Sequence, residues 1–391
     1  MKLLHDILVV DFSQFLSGPS ASLRLADLGA TVIKIEQPKT GDICRELYVS
    51  DVMLEGDSTI FHAINRNKQS YVANLKDPAE LQKVKDLIKR ADIVMHNFRP
   101  GVMQRLGLGY DVVRQLNPII IYGEISGYGQ LGPWSNLPGQ DLLLQSVSGL
   151  AWLSNNQQDA PTPMGVAVVD ILAGTHLAQG LLAALLGRGV HGQGALIQVS
   201  MLETALDFQF EVLTCYYNDG RQLPQRSSIS SAHSYIAAPY GIYETAAGYI
   251  ALAMTDIPTL GSLLQCEALQ YFTQANFWFE RRDEIKTILA QHLLSKTAVE
   301  WLEILEPADV WCAPVMDYDQ LLQQEGYKAL QMELTVKTSS GLQVKTTRCP
   351  IRFDGQILAP TLGAPTLGEH NKIIEQTYNL CEPTPVELCK V

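Results

Sequence analysis

The feature that most restricts the fold is an order of elements repeated along the first 200 residues: a short apolar run, then a stretch of helical periodicity. ILVVDF (7–12) and TVIKIE (31–36) are rich in Val and Ile, and between them PSASLRLADLGA offers Pro19 as a first helical residue and Gly29 as its stop. DPAELQKVKDLIKRADIVMHNF then gives Asp77 as an N-cap, Pro78 at the first helical position, and Leu81, Val84, Leu87 and Ile88 at helical spacing, before a strand over 93–95. IIIYGEI (119–125) supplies another strand. Strands apolar on both faces and separated by helices predict an α/β fold with a parallel sheet covered on both sides, and such sheets bind ligands where their strands end.

A chain of 391 residues divides into two or three domains at about 100–200 residues each. The pattern predicts a large unit over 1–200, a linker helix over 201–225 (SMLETALDFQFEVLTCYY), a small α+β unit over 226–325 opened by the Ser-rich RSSISSAHS, and a C-terminal segment over 326–391. In the last of these, ELTVKTSSGLQVKTT reads as a hairpin turning at SSG. No apolar run approaches the roughly 20 residues of a membrane span, and MKLLHDILVVDF meets Asp6 and Asp11 where a cleavage site would stand. The net charge of -12 argues against nucleic acid or an anionic membrane as partners, so an anionic ligand needs a local basic pocket. Seven scattered cysteines (44, 215, 266, 312, 349, 381, 389) without a CxxC pair indicate neither a disulfide framework nor a zinc site, and point to a reducing cytoplasm. Cys312 and Cys349, beside prolines, read as packed thiols.

A dinucleotide fold would run its first strand into GxGxxG, but ILVVDF is followed by SQFLSGPSAS, with Gly18 alone; a P-loop and an HExxH helix are also missing. GVAVVDILAG (165–174) places one carboxylate, Asp170, at the end of an apolar run that reads as a strand, just ahead of the helical THLAQGLLAALLGR. There the positive end of the helix dipole favours an ionised acid. Helix capping alone would also explain an aspartate at this place.

The words DFSQFLSGPSASLRLADLGATVIKIEQP, NRNKQS (65–70), HNFRPG (96–101), GYGQLGP (127–133), GQDLLLQSVSGL (139–150), VVDILAG, CAPV (312–315) and LGEHN (367–371) occur in an order and spacing that carry a family resemblance. From about residue 3 to 375 the chain resembles the class III (CaiB/BaiF-type) CoA-transferases, the family of formyl-CoA transferase and carnitine CoA-transferase. The resemblance implies a large domain with a Rossmann-like core, a smaller α+β domain, a C-terminal segment over 326–391 that returns to the large domain, and an interlocked homodimer. It implies an acyl-CoA:carboxylate CoA-transferase in which Asp170 attacks the thioester, passes through an acyl-aspartyl anhydride and an aspartyl-CoA thioester, and hands CoA to a second acid. Coenzyme A is then a substrate, and no metal is involved. Positions matching the family's CoA contacts are Leu16, Ser17, Ala73, Asn74, Lys76, Asn97, Phe98, Arg99 and Arg105, with Lys68 close by. Phe98 suits the adenine, and Arg99 or Arg105 a phosphate.

Three departures matter. Gln37 stands where formyl-CoA transferase has an arginine, so a phosphate there goes without that cation or turns to Lys34 or Lys39. Pro138 replaces a lysine, and Gln140 and Asp141 replace a tyrosine and glutamate pair, whose place among the CoA contacts the resemblance passes to them. After GYIALAM comes TDIPTLGSLL, without the glycine-rich loop that covers the reacting aspartate in that enzyme, so formyl or oxalyl specificity is not carried over and a larger acyl group is allowed.

Two other readings compete. The 2-methylacyl-CoA racemases of the same superfamily exchange a proton with a histidine in a GHD word; here the word is GQD, and the amide of Gln140 cannot take a proton. His176, six residues past Asp170, reads as a packing histidine. A catalytically inactive CoA-binding protein is the third reading, against which stands Asp170 in its expected setting. His370 of GEHN either fixes the C-terminal segment or borders the site.

Overall fold

The computed structural model describes residues 3–47 and 52–380; Cys381 and Cys389 lie outside them. The chain forms two compact units, one drawn from 1–144, 167–204 and 331–391, the other from 145–166 and 205–330. The stretch 145–166 thus groups with the later residues and not with its sequence neighbours.

In the first unit the apolar runs become six strands: β1 (Leu8–Asp11), β2 (Thr31–Glu36), β3 (Lys68–Val72), β4 (Ile93–His96), β5 (Ile121–Ser126) and β6 (Ala195–Ser200). They lie in the order β3-β2-β1-β4-β5-β6, and each neighbouring pair is parallel. The order reverses between β1 and β4, where connections leave in opposite directions and a crevice opens at the carboxyl ends of the strands. β1 and β4 are buried along their whole length, as strands covered on both faces must be.

Helix α1 (Ser17–Asp27) links β1 to β2 and stops at Gly29, whose φ of 103° suits only glycine. α2 (Pro78–Ile88) starts as its sequence predicts: the Asp77 side chain accepts from the Ala79 and Glu80 amides, and Val84, Leu87 and Ile88 enter the core. Further on come α3 (Asp141–Val147) and α4 (Val168–His191). The 165–170 run is therefore not a strand, since Val168, Val169 and Asp170 belong to α4. Two β-branched residues cost a helix only a few tenths of a kcal/mol each, less than the capping bonds and the downstream helix formers return. α4 also corrects the reading that no run nears membrane length, being by length and composition apolar enough to cross a bilayer. Its buried residues Val169, Ala173, Leu177, Ala178 and Leu181 pack in the first unit, and a Cβ on Gly180 would lie 2.7 Å from Ile197 Cγ2.

Beneath the carboxyl edge of the sheet lies a charged interior that the apolar patterning does not announce. Lys34 of β2 is fully buried, its Nζ 2.7 Å from the Ser13 carbonyl and 2.7 Å from Asp42 Oδ2. Lys68 of β3 is equally buried and donates to the Pro19 carbonyl and Asn65 Oδ1, both at 2.9 Å, with Asp11 Oδ2 at 3.6 Å. Burial pushes the Asp11 carboxyl up, but Lys34, Lys68, Ser13 and Ser22 together hold it below its ordinary value. Burial pulls Lys68 down to about 7 against the opposing field of Asp11. Glu36 accepts from Arg45 Nε and Nη2, each at 2.8 Å. These pairs fix the loops after β1 and β2 from below, and they take Lys34 and Lys68 out of reach of any ligand, contrary to the sequence reading.

The outer edge of β3 is covered by residues 368–371. Gly368 N donates to Ser70 Oγ at 2.9 Å, His370 N to the Ser70 carbonyl at 3.1 Å, and Asn371 exchanges two hydrogen bonds with the Val72 backbone. His370 Nδ1 accepts from Ser70 N at 3.3 Å, so of its two expected roles this residue has the structural one.

In the second unit β7 (Gly241–Glu244), β8 (Tyr249–Leu252) and β9 (Cys312–Pro314) form an antiparallel sheet. Tyr243, Ile250 and Leu252 share a core with residues of α5 (Ile257–Leu264), α6 (Arg282–Leu293) and α7 (Ala298–Leu305). The expected linker helix is two helices, Met201–Phe208 and Phe210–Asn218, separated at Gln209. The late strand pattern forms the expected hairpin, β10 (Glu333–Lys337) with β11 (Gln343–Thr347), within the first unit.

Candidate functional site

The crevice between β1 and β4 is bordered by the two loops that follow these strands. Asn97, one residue past β4, binds the loop after β1: its Oδ1 accepts from Gln14 N at 2.8 Å, and its Nδ2 donates to the Gln14 carbonyl at 2.7 Å and to Ser17 Oγ at 3.2 Å. All of this amide's hydrogens are thereby used, and it serves to shape the loop. Leu16 is the N-cap residue of α1 and Ser17 its first residue.

α1 leads directly to Asp170. A Cβ on Gly174 would sit 2.0 Å from Ser20 Oγ and 2.5 Å from the Ser17 carbonyl oxygen, so only glycine lets the first turns of α1 and α4 meet. Gly174 lies one turn beyond Asp170 on the same face, so the same contact brings the start of α1 up to the first turns of α4. Sequence reasoning did not single out Gly174; its signal is a small residue four places after the acid, facing the small residues of SGPSAS.

Asp170 is not the cap of its helix. The N-cap position is Ala167, and the cap is delivered by Asp141, whose Oδ1 accepts from Val169 N at 2.8 Å and from Asp170 N at 3.2 Å. Asp141 comes at the end of the GYGQLGP loop, whose base is closed by two glycines. A Cβ on Gly127 would lie 2.7 Å from the Gly139 Cα. Gln130 Nε2 ties the loop to Glu124 Oε1 at 2.8 Å. Gln140 is exposed, its carbonyl accepting from Leu144 N at 3.1 Å.

With capping assigned elsewhere, the Asp170 carboxylate is left half-buried at a helix start. Burial, and after it the neighbouring charge of Asp141, raise its pKa from 3.8 to about 6, while the Ser17 hydroxyl opposes the shift. This reverses the direction expected from the helix dipole. A dipole supplies about 0.3–1 kcal/mol, whereas a rise from 3.8 to about 6 corresponds to about 3 kcal/mol. About nine in ten such groups are still ionised at pH 7, so the site holds a poorly solvated, mostly charged carboxylate. Such a group is a better nucleophile than a solvated one.

The remaining sequence candidates lie at the same edge of the sheet. β3 stops at Val72, so Ala73, Asn74 and Lys76 occupy the following loop and not a strand, as Asn74 Oδ1 takes the Lys76 amide at 3.1 Å. Ala73 is buried; Asn74 and Lys76 are exposed. Phe98 stacks on His96 with ring centres 6.0 Å apart and is half-buried against the core. Arg99 and Arg105 are exposed, and among the described residues no ion pair engages either. With Lys39 and Lys76 they place cations on the loops after β2, β3 and β4. His176 lies about 120° around α4 from Asp170 by helical geometry and shares no face with it. In the second unit, Cys312 lines an apolar cleft of about 450 Å3 together with Ile242, Ala251, Ala253, Trp311 and Ala313, and Cys349 of the first unit is buried.

Comparison with known proteins gives a consistent answer. The family model described as CoA-transferase family III matches residues 4–371. The acetyl-CoA:oxalate CoA-transferase of Acetobacter aceti is 32% identical, with 80% of each chain covered. The succinate–glutarate CoA-transferase of Agrobacterium fabrum is 30% identical over 94% of this chain and 93% of its own. Among solved structures, a CaiB/BaiF family protein from Brucella suis superposes with a TM-score of 0.82 at 27% identity, covering 95% of this chain and 98% of that one.

Proposed function

The chain belongs to CoA-transferase family III and is a CoA-transferase, and from that premise we propose that Asp170 is the nucleophile and covalent carrier. The single observation that carries this reading is the relief of Asp170 from capping by Asp141, which leaves a half-buried carboxylate with a pKa near 6 in the first turn of α4.

The substrates are an acyl-CoA and a free carboxylic acid. One Asp170 oxygen attacks the thioester carbonyl, giving an acyl-aspartyl anhydride and CoA thiolate. The thiolate attacks the aspartyl carbonyl and releases the first acid; the second acid reverses both steps and leaves as its CoA ester. A carboxylate suits this work because anhydride and thioester are close in energy, so CoA passes on without hydrolysis where water is kept out. Arg99 and Arg105, with Lys39 and Lys76, supply the cations that the CoA phosphates require of an acidic protein. Leu16, Ala73 and Asn74 border them, and Phe98 offers a half-buried ring for the adenine. Asn97 and Asp141 act through the backbone they hold. The racemase reading lacks a proton acceptor on the side of Gln140, and His176 does not provide one.

The enzyme is a cytoplasmic homodimer of interlocked chains in this reading. The family supports it, as do the exposed Leu186 and Val190 of α4, 76% and 77% accessible in the single chain. Acceptors are carboxylic acids of the dicarboxylate class that relatives' names give, glutarate and mesaconate among them, and acids with longer chains.

The test is CoA exchange followed by mass, with acetyl-CoA, succinyl-CoA and longer thioesters against oxalate, glutarate, succinate and branched acids. Wild type yields new thioesters and an adduct on the Asp170 peptide that hydroxylamine removes. Asp170→Ala binds CoA and exchanges none; normal turnover by that variant refutes the assignment.

A further inference from the structure

The loop between β1 and α1 holds an aromatic residue in a backbone conformation that side chains avoid. Phe15 has a φ of 62°, and it is the one aromatic among the described residues with positive φ. A left-handed backbone disfavours an ordinary side chain by roughly tenfold. Buried groups impose it here. The Ser13 carbonyl accepts from Lys34 Nζ at 2.7 Å, Asn97 binds both the amide and the carbonyl of Gln14, and Phe15 N donates to Asp42 Oδ1 at 3.1 Å. Asp42 is itself held by Lys34, whose Nζ lies 2.7 Å from its Oδ2. Its Oδ1 also accepts from Cys44 N at 2.9 Å, which brings the backbone at Ile43 alongside Phe15. The side chains so placed are left outside: Phe15 is 44% exposed and Ile43 47%. Strain that its surroundings over-determine to this degree gathers at ligand sites.

The ring stands at the height of the reacting carboxylate. α1 leaves the carboxyl end of β1 and α4 runs into the amino end of β6, so both helices start at the carboxyl edge of the sheet and run the same way. Gly174 meets α1 at Ser17 and Ser20. Asp170, four residues earlier, is about 6 Å nearer that edge, level with the residues that precede Ser17. Phe15 and Asp170 therefore share one rim of the crevice, the first apolar and exposed, the second charged and half-buried.

We propose that Phe15 is a specificity-determining residue whose ring meets the hydrocarbon part of the acyl group while the thioester carbonyl is at Asp170. This rests on the reading of Asp170 as the covalent carrier and deepens it by naming the substrate class: thioesters of acids with an apolar chain, in preference to acetyl. Each methylene that leaves water against Phe15 and Ile43 favours binding. Because the loop is already locked, little ordering remains to be done when the chain arrives.

The test compares wild type, Phe15→Ala and Phe15→Gly in the full chain, with hexanoyl-CoA and acetyl-CoA as donors and succinate as the fixed acceptor. Wild type is expected to favour hexanoyl-CoA by kcat/KM, and both variants to cut that ratio by about tenfold. The Kd for free CoA, measured by calorimetry, changes less than about threefold. A second readout concerns the backbone. Alanine keeps the cost of a positive φ and glycine removes it, so Phe15→Gly melts about 1–3 °C above Phe15→Ala. The proposal is overturned by a wild type without the preference, by folded variants that keep it, or by equal melting of the two variants. It is overturned as well by an equal loss for both donors with a matching rise in Kd for CoA, the mark of a contact with the pantetheine arm. Each of these leaves Asp170 as carrier. Full turnover by Asp170→Ala defeats the carrier reading itself, whatever the donor ratio does.

Discussion

Replacing Asp141 by Asn separates two things that this residue does at once. Asn keeps an Oδ1 that accepts from Val169 and Asp170, bonds of 2.8 and 3.2 Å in the present structure, so the start of α4 stays capped. It removes the negative charge, which ranks second to burial among the causes that raise Asp170 to about 6. The full rise is worth about 3 kcal/mol, and a share of about 1.4 kcal/mol for a like charge in this part-buried setting lowers the midpoint by about one pH unit. Because the ionised form attacks, the acid limb of kcat/KM moves down with it. At pH 5 about a tenth of wild-type sites and about half of variant sites carry the charge, so the variant is about fivefold more active there and equal at pH 8. Initial rates of CoA exchange from pH 4.5 to 8.5, with melting temperatures on the same samples, measure this. An acid limb that stays put or moves upward in a folded Asp141→Asn protein refutes the electrostatic argument.

Two further outcomes follow from the same contacts. Asp170 has a folded-state pKa above its unfolded value, so its charge costs stability fully above pH 6, and the cost fades as pH falls toward 4. Asp170→Asn, inactive, is therefore expected to melt a few degrees higher than wild type at pH 7.5, about 1–2 kcal/mol after allowing for partial exposure, and to lose that advantage at pH 4; calorimetry at both values decides. Gly174→Ala places a methyl group 2.0 Å from Ser20 Oγ and 2.5 Å from the Ser17 carbonyl, and is expected to cost about 1–3 kcal/mol in urea unfolding while lowering kcat beyond the loss of folded protein. Wild-type stability in that variant counts against the close packing of α1 on α4.

The sequence by itself determined the parallel sheet, because strands covered on both faces must be apolar at every position, and that pattern survives in one dimension. It also marked Asp77 and Pro78 as a helix start, SSG as a hairpin turn and Asp170 as an acid in an apolar setting. It misread the conformation at Asp170, since local propensity makes VAVV a strand and the atom that tips it into helix belongs to Asp141, 29 residues earlier. Tertiary structure alone decided which charges face solvent. Lys34 and Lys68 look in sequence like any ligand-binding lysines, but partners from β1 and distant loops, Asp11 and Asp42 among them, offset the cost of burying them, while Arg99 and Arg105 find no such partners among the described residues and stay outside. Tertiary structure also set the acidity of Asp170. A pKa is fixed by the solvent excluded and the charges brought near, and both depend on which helices meet, a fact that spacing along the chain does not contain.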